Sequence, residues 1–292
     1  MNQKIYLDLN IYYNIHETNN KGFPKIKELF LKSKKEFYYS HGITEELIGL
    51  NSYNHMSSLI DEITKKRVIL PVKDNFLTTK VESMERSIDR CLKTNTKETI
   101  KQTADLKFNN QRINRETNKE VFPKDYGNIS SKNAHQVWET EIIKNAINNY
   151  LPVLNEHVKE ACKELYEIQL KTLSFDELIG LTNDPEVPQL IFDPIIEILS
   201  DMLNDCGYGY DKSEETTNSG IYDTAHLNMG RYCDLILTCD KRFKMKGEAI
   251  YSLLNIGTKI AVIPECKIES RLVEVPIFSN EDIVIEELNK YV

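Results

Sequence analysis

The sequence lacks long apolar segments and closely paired cysteines. No apolar run approaches the roughly 20 residues that a membrane-spanning helix requires, and the N-terminus has no hydrophobic core of a secretory signal. The six cysteines, at positions 91, 162, 206, 233, 239 and 266, include no Cys-x-x-Cys pair. In a chain of 292 residues this favours reduced, mostly buried thiols over a disulfide framework. We therefore expect a cytoplasmic globular protein that does not contact a membrane.

Several motifs of common enzyme classes are also missing. There is no GxxxxGK[ST] segment for a P-loop, no HExxH pair for a zinc protease and no GxSxG turn for a serine hydrolase. A phosphatase that forms an aspartyl phosphate would need a second aspartate where Asn10 stands. A receiver domain, although it also uses acids at strand ends, has a compact order of elements that leaves no room for the long insertion described below.

The net charge of −8 argues against a protein that coats nucleic acid. The charge is unevenly distributed, because residues 75–150 carry 13 Lys and Arg against 10 Asp and Glu, whereas residues 151–218 carry 4 against 15. Such blocks are typical of solvated helical faces. The alternative is that the less acidic block faces a polyanion.

Apolar strands alternate with helices at both ends of the chain. Strands are predicted over 4–7, 36–40 and 67–72, with helices over 23–35 and 43–66. The alternation returns with a helix over 221–232 capped by Ser219, a strand within 233–240, a helix over 248–257 closed by Gly257 and a strand over 258–265. Strands separated by helices indicate βαβ units and a parallel sheet.

The middle of the chain is polar and contains no clear strand signal. Helices are predicted over 146–170 and 194–206, a long loop over 108–133 and a linker over 207–220. The sequence therefore predicts an α/β domain made of residues 1–74 and 219–292, interrupted by a mostly helical insertion over 75–218. The expected architecture is a three-layer α/β/α sandwich around a central parallel sheet.

Acidic side chains follow several of these strands. Asp8 ends the segment IYLD and Asp240 ends LILTCD, while Glu46 opens the helix after the second strand. Asp223 is expected in the first turn of the helix that precedes the strand ending at Asp240. In an open parallel sheet, functional sites form at the carboxyl ends of the strands. We therefore expect these acids to converge on one edge.

Converging carboxylates predict a bound cation. Three or four acids at one edge cannot all be ionised without a partner, because their repulsion raises some of the pKa values and destabilises the fold. Mg²⁺ and Mn²⁺ prefer oxygen ligands and suit phosphate substrates. Such an ion activates water and offsets the charge that develops on a phosphodiester during hydrolysis.

With these residues in order, the chain resembles the PIN domain, a family of α/β nucleases that usually act on RNA. YLDLN supplies an aspartate and an asparagine in a D-x-N pattern at Asp8 and Asn10, and SHGITEEL supplies Ser40 and Glu46. Glu45 is the alternative to Glu46. The resemblance covers about 1–74 and 219–265, and the insertion is far longer than in compact members of that family.

The second half of the motif set lies near the C-terminus. YDTAHL supplies Asp223, with an alanine one position out of the family's spacing, and LTCDKRF supplies Thr238 and Asp240. The resemblance implies that Asp8, Glu46, Asp223 and Asp240 hold one or two Mg²⁺ or Mn²⁺ ions. It also implies supporting or substrate-binding roles, which we assign to these residues: Asn10, Ser40, Thr238, His226, Lys241 and Arg242.

The implied activity is hydrolysis of RNA by a cation-activated water, with single-stranded DNA as the other substrate left open. A role in bacterial stress or phage defence, a homo-oligomer and a regulatory protein partner are further implications. The competing hypothesis is a catalytically silent PIN-like module that binds RNA or a protein.

Simpler interpretations compete at each position. Asp8 is equally explained as a turn cap, Asp223 as a first-turn acid, and His226 as a surface histidine.

Overall fold

The computed structural model describes residues 2–16, 23–49, 53–71, 77–93, 96–166, 171–182, 189–210, 214–263 and 281–292. Cys266 lies outside these residues. The strands are β1 (Lys4–Leu7), β2 (Glu36–Ser40), β3 (Arg67–Pro71), β4 (Leu77–Val81), β5 (Leu235–Thr238) and β6 (Lys259–Val262).

Helices make up most of the remaining described chain. They are α1 (Leu9–His16), α2 (Pro24–Lys32), α3 (His41–Gly49), α4 (Tyr53–Thr64), α5 (Met84–Leu92), α6 (Thr96–Val121), α7 (Pro123–Asn128), α8 (Glu141–Tyr166), α9 (Phe175–Leu181), α10 (Gln189–Asp205), α11 (Glu214–Gly230), α12 (Lys241–Leu253) and α13 (Glu281–Leu288). Two short 3₁₀ helices, Ile129–Ser131 and Gln136–Glu139, lie between α7 and α8. Among the described helices, none is long and apolar enough to cross a membrane.

The strands form one six-stranded sheet in the order β4-β3-β2-β1-β5-β6. All neighbouring pairs are parallel except β3 and β4, which are antiparallel with Arg67 opposite Val81. The α/β class is therefore confirmed, but the sheet is mixed rather than wholly parallel. Strand β4 was missed because its sequence LTTKV is mostly polar and lies at the sheet edge, where Val81 is 77% exposed.

The centre of the sheet is buried on both faces. All four residues of β5 are buried, as are the last three residues of β1. Successive strand residues point to opposite faces, so a run of buried residues means that both faces are covered. This explains why these strands are continuous apolar runs rather than alternating patterns.

Helix α6 replaces most of the loop that was predicted over 108–133. Its described side chains contact α10 through polar groups, as when Gln111 donates to Asp201 (3.2 Å) and Asn114 donates to Asp205 (2.7 Å). Gln111 and Arg115 are buried in this helix. The loop prediction was wrong because the buried face of α6 is polar, and apolar periodicity is the signal on which helix prediction depends.

Two helix boundaries near the site also differ from the prediction. Helix α11 begins at Glu214, so the linker predicted over 207–220 is helical from residue 214, and Ser219 lies inside the helix rather than at its cap. Asp223 is therefore in the third turn, not the first. Helix α12 begins at Lys241, well before the predicted start at residue 248, because the Asp240 side chain caps its first turn, and it ends at Leu253, before Gly257.

Candidate functional site

The ends of β1 and β5 bring two of the predicted acids to one edge of the sheet. The strands are parallel neighbours, with Leu7 opposite Leu237. Asp8 directly follows β1, and its backbone N–H donates to the Leu237 carbonyl (3.0 Å). Asp240 follows β5 by two residues. Since both strands run in the same direction, their carboxyl ends deliver Asp8 and Asp240 to the same edge, as predicted.

Thr238 and Asn10 connect these two acids. The Thr238 hydroxyl donates to Asp8 Oδ2 (2.6 Å) and accepts from the Asp240 backbone N–H (2.9 Å). Asn10 Nδ2 also donates to Asp8 Oδ2 (2.6 Å), while Asn10 Oδ1 accepts from the Cys239 N–H (2.9 Å). Asn10 and Thr238, which were predicted to support the acids, thus orient the Asp8 carboxylate by direct hydrogen bonds.

A buried carboxylate–imidazole group forms the centre of the site. His226 Nε2 lies 3.0 Å from Glu46 Oε2 and 3.8 Å from Asp8 Oδ1. One ligand-type atom from each of these three residues lies within 4.8 Å of the other two. Asp8 is 5% exposed and His226 is 1% exposed. The surface interpretation of His226 was therefore wrong, because α11 packs this residue against the sheet edge.

Tyr6 and Ser40 hold the other side of the imidazole. The Tyr6 hydroxyl lies 2.7 Å from His226 Nδ1 and 2.7 Å from Ser40 Oγ. Ser40, one of the predicted supporting residues, is fully buried at the end of β2. Tyr6 was missed, although the strand period of two residues puts it on the same face of β1 as Asp8.

For both Asp8 and His226, burial and the charge of the other residue shift the pKa in opposite directions. Burial raises the pKa of Asp8 to about 6; the charge of His226 opposes this rise, and those of Glu46 and Asp240 add to it. Burial alone would lower the pKa of His226, but the hydrogen bond to Glu46 and the charges of Asp8, Glu46 and Asp223 raise it to about 9. At neutral pH the histidine is a buried cation among carboxylates.

Asp223 lies one turn before His226 on α11 and faces a buried lysine. Lys246 Nζ is 3.9 Å from Asp223 Oδ2 and 3.4 Å from Asn204 Oδ1 of α10. Lys246 is 1% exposed, and a Cβ at Gly209 would approach its stem to 3.0 Å. The sequence carried no signal for this lysine, because a single Lys within the charged segment KRFKMKGE resembles an exposed helical residue.

Asp240 and its basic neighbours occupy the start of α12. Asp240 Oδ1 accepts from the backbone N–H groups of Arg242 (2.6 Å) and Phe243 (3.2 Å), so this acid is a helix N-cap as well as an edge acid. The Arg242 side chain lies 4.0 Å from the same oxygen, and Lys241 is exposed. Lys241 and Arg242 therefore place solvent-accessible positive charge beside the Asp240 carboxylate, whose side chain is 31% exposed.

The structure separates the two neighbouring glutamates of α3. Glu46 contacts His226, whereas Glu45 Oε1 lies 3.2 Å from His41 Nε2. Hydrogen bonds to Cys91 and Glu45 raise the pKa of His41 to about 9. Of the two alternatives left open by the sequence, Glu46 is the residue that lies with Asp8.

Replacing Tyr6 by phenylalanine tests how firmly the imidazole is held. We expect the free energy of unfolding to fall by about 1–3 kcal/mol, because Ser40 Oγ and His226 Nδ1 would be left buried without this partner. Urea denaturation measures the change. Tyr38→Phe is the control, since its hydroxyl donates to the half-exposed Glu36, where water can substitute. Equal effects of the two substitutions would contradict a structural role for the Tyr6 hydroxyl.

Comparisons with protein-family models, curated proteins and solved structures found no match to this chain. The fold and the site define an α/β protein with a buried Asp–Glu–His group at the carboxyl edge of its sheet. Its function has to be inferred from the chemistry of that group.

Proposed function

We propose that this chain is a metal-dependent endonuclease that hydrolyses phosphodiester bonds, with RNA as the favoured substrate. The main support for the proposal is that Asp8, directly after β1, and Glu46, in the helix after β2, meet at the carboxyl edge of the sheet. Asp223 and Asp240 add two further acids around that edge. The resemblance of these segments to PIN nucleases supports RNA as the substrate.

The donor atoms of the site fit a hard divalent cation. Asp8 and Glu46 would hold Mg²⁺ or Mn²⁺, with Asp223 and Asp240 as further oxygen donors. The ion would stabilise negative charge that develops on the phosphate and activate water for attack. The protonated His226 is not a ligand in its present state. It supplies the positive charge that lets the buried Asp8 carboxylate and the partly buried Glu46 carboxylate lie close together.

The residues around the acids have separate tasks in this proposal. Thr238 and Asn10 bind Oδ2 of Asp8 and so direct the carboxylate. Lys241 and Arg242, at the exposed start of α12, are suited to hold a phosphate next to the one that is cleaved. These contacts need only the nucleic-acid backbone, so single-stranded DNA remains the alternative substrate in the test below.

Substitution of Asp240 by asparagine tests the proposal with little risk to folding. Asparagine is as good an N-cap as aspartate, so α12 should remain intact while a cation ligand is lost. We expect Mn²⁺-dependent cleavage of single-stranded RNA to fall by about 10–100-fold. Labelled RNA and DNA oligonucleotides with and without Mn²⁺ provide the measurement.

Asp234→Asn is the matched control for this experiment. Asp234 lies at the opposite end of β5, where its carboxylate accepts from the Lys4 N–H (2.8 Å), so activity should be unchanged. Cleavage that survives unaltered in the Asp240→Asn protein would contradict the assignment of this acid.

One observation favours a second candidate, a silent module that binds RNA or a protein. His226 and Lys246 already place two buried cations among the acids, so the carboxylates have internal counterions. Such a module needs no divalent ion. Titration calorimetry with Mn²⁺ separates the candidates: a wild-type protein that neither binds Mn²⁺ nor cleaves any substrate would favour the module and overturn the nuclease proposal.

A further inference from the structure

Cys91, His41 and Glu45 form a second linked group of side chains. Cys91 lies in the last turn of α5, and its Sγ is 3.2 Å from His41 Nδ1. The other imidazole nitrogen, Nε2, lies 3.2 Å from Glu45 Oε1, one turn further along α3. A thiol, an imidazole and a carboxylate are therefore connected in series, with each ring nitrogen facing one partner. This order is that of an activated nucleophile, its base and the group that orients the base.

The group uses side chains other than those of the carboxylate–imidazole site. Helix α3 presents Glu46 to His226, whereas Glu45 turns to His41 and the α5 contact. Thr44 and Ser87 join the same two helices through a hydrogen bond between their hydroxyls (2.8 Å). A rigid α3–α5 contact holds the histidine at the sulfur, and nothing in its geometry depends on the proposed nuclease activity.

Burial limits which molecules reach the sulfur. Cys91 is 2% exposed, whereas the side chains of His41 and Glu45 are 27% and 18% exposed. Solvent thus reaches the imidazole side of the group more easily than the sulfur itself. A co-reactant must be small, and its leaving group would depart beside the histidine.

Three of the other four described cysteines lie in different surroundings. Burial raises the pKa values of Cys162, Cys206 and Cys233, which makes their thiolates scarce at neutral pH. The Cys206 thiol points at the Ile142 carbonyl (3.7 Å). These thiols are packed as small apolar groups, which is the usual state of a buried cysteine.

We propose that Cys91 is a reactive thiol that is modified by small hydroperoxides. The thiol loses its proton to solvent, and the thiolate beside the protonated His41 ring attacks one peroxide oxygen. An S–O bond forms as the O–O bond breaks, and the departing oxygen takes the proton from the imidazole. With hydrogen peroxide the products are a sulfenic acid on Cys91 and water, so the sulfur is oxidised by two electrons and the peroxide is reduced. Glu45 keeps the ring in the orientation that this transfer requires.

Site-resolved oxidation of the native protein tests this proposal. The protein is treated with hydrogen peroxide, the sulfenic acid is trapped with dimedone, and labelling of each cysteine is followed by mass spectrometry. Exposure alone predicts that Cys162 (6%) and Cys233 (4%) react before Cys91 (2%). We expect the opposite order, with Cys91 about tenfold faster, because the His41 ring 3.2 Å from its sulfur stabilises the attacking anion and protonates the departing oxygen.

Substitutions of two histidines distinguish an effect of His41 on the Cys91 sulfur from an effect of solvent access to that sulfur. His41→Gln should reduce the rate at Cys91 about tenfold, to the level of the other cysteines. His135→Gln, at an exposed histidine bonded to Ser252 (2.7 Å), should leave it unchanged. If His41→Gln disturbs folding, Glu45→Gln gives the milder test and should slow labelling by a smaller factor. Labelling of Cys91 no faster than Cys233, or unaffected by both substitutions, would overturn the proposal.

Discussion

Replacing Asp8 by asparagine is expected to reduce Mn²⁺-dependent cleavage by on the order of 10³-fold, the largest effect of any single substitution in the site. Asp8 is the acid that lies with Glu46 and His226, and two neighbouring side chains, Thr238 and Asn10, orient its carboxylate. Asparagine keeps the shape and accepts the same hydrogen bonds but loses the charge that a cation requires. Cleavage rates at saturating Mn²⁺ and Mn²⁺ affinity by calorimetry measure the loss.

The same substitution should not weaken the fold. Since burial raises the pKa of Asp8 to about 6, its ionised form at pH 8 costs the folded state on the order of 3 kcal/mol relative to the unfolded chain. Removing that charge is expected to leave the free energy of unfolding equal or higher. A variant that loses activity and also unfolds would show a structural role for Asp8 instead. Asp234→Asn again provides the control at the other end of the strands.

In the absence of metal, the protein is expected to lose stability as the pH rises from 6.5 to 9. The folded-state pKa of His226, about 9, lies above its unfolded value of 6.5. Its contribution is therefore fully present below pH 6.5 and is lost as the pH passes through 9. A shift of this size corresponds to on the order of 3 kcal/mol.

His41 titrates over the same range, because its pKa is also raised to about 9. Urea denaturation at pH 6 and pH 9.5, with a chelator present, should therefore be compared for wild type, His226→Gln and His41→Gln. Each substitution is expected to reduce the difference in the free energy of unfolding between the two pH values by the contribution of the histidine that it removes. A wild-type stability that is flat between these pH values would contradict the buried imidazolium between Asp8 and Glu46.

The strands and the edge acids could be predicted because their signals are local. Segments 4–7 and 36–40 were predicted with the bounds that β1 and β2 have in the structure. Asp8 and Asp240 could be predicted as site residues because each comes at the end of an apolar run. The carboxyl ends of parallel strands lie at the same edge of a sheet. Helix α6 was missed because it buries polar side chains against α10, and such pairing has no apolar periodicity.

Side-chain partners within the site depended on packing that no short segment encodes. Lys246 belongs to a charged stretch of α12, and only its position over Gly209 and beside Asp223 makes it a buried residue. Tyr6 could have been included from the strand period alone. Its contact with His226, 220 positions away in the chain, could not.

The sequence by itself determined five of the six strands of the sheet, part of the helical structure between them and the placing of an acid after two parallel strands. Only the tertiary structure decided which acids meet. Consecutive helical residues point about 100° apart, so the packing of α3 alone selects Glu46 over Glu45 for the edge. In the same way the packing of α11 puts His226 between Glu46 and Asp8, where it becomes the buried cation of the group.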